Sequence, residues 1–508
     1  MAAGLPREER ILVPGRLRTL RLANGIAEFV RDRLAVRGPL SVRVLNAHAA
    51  DPTDTELLTV LGRRVPAGLL TITVEPADGP SASPLTSRVP LDLDRYRDEG
   101  FHHAMAEAGA AVLPTLAEDG EEWWQALHRT TTALAALDRE DEARDLLDRA
   151  RRVSTHPKHR ATAAYATAML LVRHHDPGRR DPREAMAWIN EAIALTSLLP
   201  DPRERAFHLG FDLNGKALVQ TRLGEHEAAL RLVQAAIDLA ERDLPGHPVH
   251  KAVLRANRAQ LTALLGDPEG ALADLSAAIA ADPGYPDPYL DRGNLLHRLG
   301  RPERALADYE TAMRLGPPFP EPYYNRSEIR YAQGDLAGAL ADLDYAIELD
   351  PGFTDAYVNR AGLLVALDDL DGARADAERD PDNPYLLCVL GQIEAALGDP
   401  VGARKAYESA LERDPGLAAA WAGRGAVAYE EGDHEAAAAD LGRAIELEET
   451  AEALFNRSLA LRADAAGRPP ADAHALLGRA RADLRRAREL APEDEDVRRA
   501  LAELSQPT

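Results

Sequence analysis

A single cysteine, Cys388, stands in 508 residues, so no disulfide can form within the chain and no thiolate cage can hold a metal. Lysine is nearly as scarce, at Lys158, Lys216, Lys251 and Lys405, and aromatic residues make up 5%. The net charge is −23, which leaves no broad basic face to bind nucleic acid by counterion release. No run of 18 apolar residues occurs, and the first twenty residues carry charge without an apolar core of signal-peptide length. The expectation is a soluble, cytoplasmic chain with no nucleic-acid or membrane partner. Serine elbows, catalytic Cys–His signatures and glycine-rich phosphate or dinucleotide loops are all missing. His102-His103 and His174-His175-Asp176 hold neighbouring rather than i, i+4 ligands, so no metal site is expected. Together these absences point away from an enzyme and from any cofactor.

What the chain has in abundance is self-similarity. "PYLDRG" (288–293), "PYYNRS" (322–327) and "AYVNRA" (356–361) recur at a pitch of 34 residues. Each opens an apolar-periodic helix, which breaks at a turn such as Gly334-Asp335 and continues in a second helix closing near Asp-Pro. Small residues keep their places, as in Gly293, Ala305 and Ala312 or Ser327, Ala339 and Ala346, and let the paired helices approach. Tyr289, Tyr323 and Tyr357 are expected to fill the gap beside them. Further copies span 252–285, 384–417, 418–450 and 451–494, with looser ones at 124–157, 159–199 and 204–247. The copy at 354–383 is four residues short, about one helical turn, and 159–199 carries an insertion, "RHHDPGRRDP", read as a loop.

This pattern resembles the tetratricopeptide repeat. The resemblance implies a mainly α fold: a right-handed superhelical solenoid of helix-turn-helix repeats, regular over 252–494, divergent over 90–250, and closed by a capping helix and tail at 495–508. It also implies a scaffold or adaptor that holds a protein or peptide partner in its concave groove. Homo-oligomerisation is left open.

Inside the repeat, arginine occupies one place in six copies: Arg258, Arg292, Arg326, Arg360, Arg424 and Arg457. That place packs inward in most such repeats, so a charge there needs a partner. Asp274, Asp308, Asp342, Asp376, Asp440 and Asp483 share one place on the second helix of the same copies. In 384–417 both charges are gone, replaced by Leu390 and Ala406. Joint loss predicts an architectural Arg–Asp bridge between the two helices of each repeat. The residue before each arginine lies about 100° further round the helix: Asn257, Asp291, Asn325, Asn359, Val389, Gly423 and Asn456. The resemblance places these on the concave face, where an amide can both donate to and accept from a peptide backbone. Asn294, His297, Tyr324, Glu328 and Tyr331 are flanking candidates.

The first 84 residues differ in composition, and 40–76 reads as strand, helix, strand in a small α/β cap. This stretch resembles the acid-motif segment of the large regulatory ATPases built on helical repeats, with Leu45 and Asn46 where the acids would stand, before Ala47, His48, Asp51 and Pro52. Without acids or a phosphate loop, the resemblance implies a remnant unable to bind nucleotide in the usual way. A regulator acting by sequestering its partner, and an enzyme subunit with its site where this segment meets the repeats, are the competing readings. Residues 75–84, "EPADGPSASP", read as a linker.

Overall fold

The computed structural model describes residues 15–45, 47, 50–74, 93, 96, 101–174, 176–244 and 248–505. The linker at 75–84, and Asn46, His48 and His175, lie outside them. The chain divides into two compact units, Met1–Ile329 with Glu348–Asp350, and Arg330–Ile347 with Pro351–Thr508.

The first unit begins with the expected small α/β module: α1 (Gly15–Arg37), β1 (Leu40–Val44), α2 (Pro52–Arg64) and β2 (Leu70–Val74). Asp51 caps α2 by accepting from the Asp54 amide, and Pro52 fills the first helical position, where no amide is needed. The crossover helix lets β1 and β2 pair in parallel, Leu40 opposite Leu70 through Val44 opposite Val74. Leu20, Ala23, Ala27, Leu34, Val60, Val65 and Leu70 form the core beneath them.

Helix pairs follow. In the first unit they are α3 (His102–Val112), then α4 (Glu121–Ala136) with α5 (Glu140–Val153), α6 (Pro157–Arg173) with α7 (Pro182–Thr196), and α8 (Pro202–Arg222) with α9 (His226–Asp243). The regular pairs begin with α10 (Pro248–Leu264) and α11 (Pro268–Ala281), then α12 (Asp287–Arg298) and α13 (Pro302–Leu315). Next come α14 (Pro320–Ala332) and α15 (Leu336–Leu349), near which the two units divide. The second unit continues with α16 (Thr354–Ala366), α17 (Leu370–Ala377), α18 (Pro384–Ala396), α19 (Pro400–Arg413), α20 (Ala418–Glu430) and α21 (His434–Leu447). It ends with α22 (Ala451–Ala466), α23 (Pro470–Leu490) and the closing α24 (Glu495–Ser505). The short copy shows directly: α17 has 8 residues where α15 has 14. The insertion at 174–181 is the connection between α6 and α7, as expected.

Turn chemistry repeats with the helices. Gly300 and Gly334 take φ of 67° and 80° at the helix ends, a left-handed conformation that costs a side chain. Asp368 occupies it without being glycine, at φ 63°. Asp267, Asp369 and Asp399 then cap the next helix by accepting from an amide three residues on.

One aromatic expectation is corrected. The gap beside Gly293 is filled by Tyr309, fully buried, whose ring would stand 2.5 Å from a Cβ at that glycine. Tyr407 does the same for Gly391. Tyr289 instead lies beside the Arg292 guanidinium and donates to the Pro283 carbonyl. Trp123 and Trp124 are buried, and Trp188 is half-buried against the core of Ala185 and Ile189, under Arg151 at 3.9 Å with its indole N–H on Glu184.

The α/β module packs against the turns of the regular repeats. Arg21 lies 3.9 Å above the Phe319 ring, donates to Asp287 and faces Glu321. Fully buried Asn24 donates to the Leu349 carbonyl, and Arg63 donates to that of Glu348, so the last turn of α15 has its orphan acceptors satisfied by the module. Arg64 binds Glu348 Oε1 at 2.8 Å, Glu28 at 3.1 Å and both oxygens of Asn24 at 3.1 Å. Arg64→Met should therefore cost about 2–3 kcal/mol, the worth of charged hydrogen bonds whose acids keep partial access to water. Chemical denaturation of wild type and variant checks this; an unchanged midpoint would mean the module is not held there.

Candidate functional site

Six architectural arginine–aspartate couples are expected from the sequence. In five the aspartate receives two parallel donors, Nε and Nη2, from the arginine sixteen residues before it or, across the insertion in the last copy, twenty-six. Distances are 2.7 Å for Arg292 to Asp308, 2.6–2.7 Å for Arg360 to Asp376, 2.7 Å for Arg424 to Asp440 and 2.6–2.8 Å for Arg457 to Asp483. The Arg258–Asp274 pair has the same form. The carboxylates of Asp274, Asp308, Asp376 and Asp483 are buried, so the fork geometry compensates a desolvated charge. Arg326 and Asp342 are assigned to different units; Arg326 lies 5.6 Å from the Tyr323 ring centre, and Asp342 accepts from Arg330 at 2.9 Å. In the chargeless copy Leu390 packs against the core of Ala361, Leu364 and Val389.

A third contact escaped the sequence reading. The remaining nitrogen, Nη1, reaches the second helix of the preceding repeat: Arg258 to Gln234, Arg292 to Ser276 at 3.0 Å and Arg360 to Asp344 at 2.7 Å. For Arg292 and Arg360 that partner lies sixteen residues before the arginine, mirroring the aspartate sixteen after it. One guanidinium thus ties three helices. These residues are framework.

The arginines turn inward, and the neighbouring positions of α10, α12 and α14 enclose a groove of about 290 Å³. Its apolar wall is Ala259, Ala263, Leu275 and Leu295, with Gln260 at the edge. Its polar side holds Asp291, Asn294, His297, Arg298, Asn325 and Glu328, above the buried Tyr309. Five residues singled out in the sequence, Asp291, Asn294, His297, Asn325 and Glu328, are brought together here. The amides are joined: Asn294 Oδ1 accepts from Asn325 Nδ2 at 2.7 Å and from Tyr309 Oη at 2.9 Å. His297 Nδ1 stands 4.0 Å from Glu328. Burial, with Asp287 one turn away as a lesser cause, pushes the Asp291 carboxyl up to about 6.

Other candidates fall elsewhere. Asn257 donates to Asn214 at 2.9 Å and does not line the groove. Tyr324 is half-buried on α14 and also outside the lining, while Asn359 and the exposed Tyr331 belong to the second unit. Sequence reasoning missed Tyr309 and the apolar wall; at the 34-residue pitch the place of Tyr309 is Leu275 in the copy before and Leu343 in the copy after. Cys388 is buried, and burial pushes its thiol up to about 12, which keeps it from acting as a nucleophile.

Residues 263–323 match one family model described as tetratricopeptide repeat, and 324–385 and 388–453 match a second with the same description. These segments are tetratricopeptide repeats, and helix pairs continue on both sides of them among the described residues. No curated protein matches the chain. Among solved structures it is similar to the Cut9–Hcn1 hetero-tetramer of APC/C, 14% identical over 83% of this chain and 97% of that one, with a TM-score of 0.40. Yeast Tom70 is 15% identical over 81% and 93%, also at 0.40. A tetratricopeptide repeat protein from Parabacteroides merdae is 18% identical over 58% and 99%, at 0.35. Among the described residues, no helix is long and apolar enough to cross a membrane.

Proposed function

We propose that the chain is a non-enzymatic scaffold that holds an extended segment of a protein partner in the groove of α10, α12 and α14. The observation that carries this reading is the amide pair Asn294–Asn325 beside an apolar wall. Asn294 Oδ1 is occupied by two donors, which orients its Nδ2 and the Asn325 carbonyl oxygen as one donor and one acceptor for a peptide backbone. Recognition through backbone groups suits a partner in extended form, and side chains against Leu275 and Leu295 add apolar contact.

The test compares wild type with Asn294→Ala/Asn325→Ala in affinity capture from a lysate of the source organism. The expected result is at least a tenfold loss of one specific partner, with the melting temperature lowered by no more than a few degrees. Unchanged capture by the folded double variant removes the groove from the function.

A further inference from the structure

Asp291 occupies the ladder place that is asparagine at 257, 325 and 359. An amide there donates and accepts, whereas a carboxylate only accepts and brings a charge. No hydrogen bond or ion pair reaches Asp291 among the described residues, though it lines the groove and is half-buried. Its neighbour Asp287 is already engaged, accepting from Arg21 at 3.2 Å and from the Tyr285 hydroxyl at 2.5 Å. Of the bases lining the groove, His297 faces Glu328, and Arg298 is exposed at the rim. A desolvated acid without a counter-charge is costly to hold, and a cation supplied from outside removes that cost.

On the reading that the groove holds a partner segment, we infer that Asp291 is the specificity subsite and takes an arginine or lysine side chain of that segment. The aliphatic stem lies along Ala263, Leu275 and Leu295, and the charged head meets the Asp291 carboxylate. Glu328, further along the same groove, adds attraction of the same sign.

The probe is a set of acetylated, amidated eleven-residue peptide pools, random except for a central arginine, lysine, citrulline, norleucine or glutamate, passed over immobilised full-length chain at neutral pH. The arginine and lysine pools should be retained at least fivefold over citrulline and norleucine, and glutamate least. Asp291→Asn should erase that preference while melting no lower than wild type, because it removes an unpaired, half-buried acid. Equal retention of arginine, citrulline and norleucine would overturn the subsite and leave the groove standing. Should no pool be held better by wild type than by Asn294→Ala/Asn325→Ala, the groove reading fails and the subsite with it.

Discussion

Arg360→Leu is expected to lower the unfolding free energy by roughly 3–5 kcal/mol, and Arg360→Leu/Asp376→Ala by markedly less. The single change strands Asp376, which is 4% exposed and whose two carboxylate oxygens both accept from this one guanidinium. It also cuts the contact to Asp344, so the second helix of the preceding repeat loses its tie as well. The double change removes the buried charge with its partner, and chargeless 384–417 shows that a repeat can be built without either. A double-mutant cycle by urea denaturation reads the coupling directly. Equal losses for single and double variants would mean that the bridge does not carry the packing.

Asp212→Asn should instead stabilise the protein above neutral pH. Asp212 lies on α8, 4% exposed, with Thr196 Oγ1 donating to Oδ2 at 2.6 Å, and burial pushes its carboxyl up to about 7. An aspartate in the unfolded chain ionises near pH 4. Between about pH 4 and 7 the native state therefore holds a proton that the unfolded state has released, and stability falls as pH rises through that window. At about 1.4 kcal/mol per pH unit, the penalty above pH 7 is on the order of 4 kcal/mol at most. Asparagine never ionises and its carbonyl oxygen can still accept from Thr196. Melting curves of the variant and wild type should converge near pH 4 and separate towards pH 8, the variant higher. A variant that melts lower at pH 8, or a gap independent of pH, would rule out a buried neutral carboxyl as the cause.

The periodic part of this protein was legible in its sequence because each repeat solves the same packing problem. Arg292 and Asp308 could be paired because both places keep their charge in six copies and lose it together in 384–417. The repeat spacing held the backward contact to Ser276, but that partner changes identity from copy to copy, and a serine does not announce itself as charge does. Tyr309 was overlooked because the eye follows the aromatic of the first helix, whereas the glycine at 293 leaves room for the aromatic of the second. Docking of α1 and α2 joins residues 266–325 positions apart through single contacts such as Arg21–Asp287 and Asn24–Leu349. No repeat amplifies such contacts, so pattern reasoning had nothing to count. Asp212 was silent for the opposite reason: one acid in a strongly acidic chain carries no signal until its burial is known.

The ladder was legible only as a row of residue types. Asn257 turns to Asn214, and only Asn294 and Asn325 meet at the groove, where Asp291 stands in the row as an acid.

Photo-crosslinking from the groove edge tests the central reading most directly. Exposed Gln260 is replaced by a benzoyl-phenylalanine, with exposed Val401 as the reference position, and irradiated adducts from the source lysate are mapped by mass spectrometry. The expected result is a specific adduct from position 260, mapping to an extended partner segment with a basic residue in or beside the crosslinked stretch and absent from position 401. Equal adduct patterns from both positions, or none from 260, would contradict a groove that holds a partner.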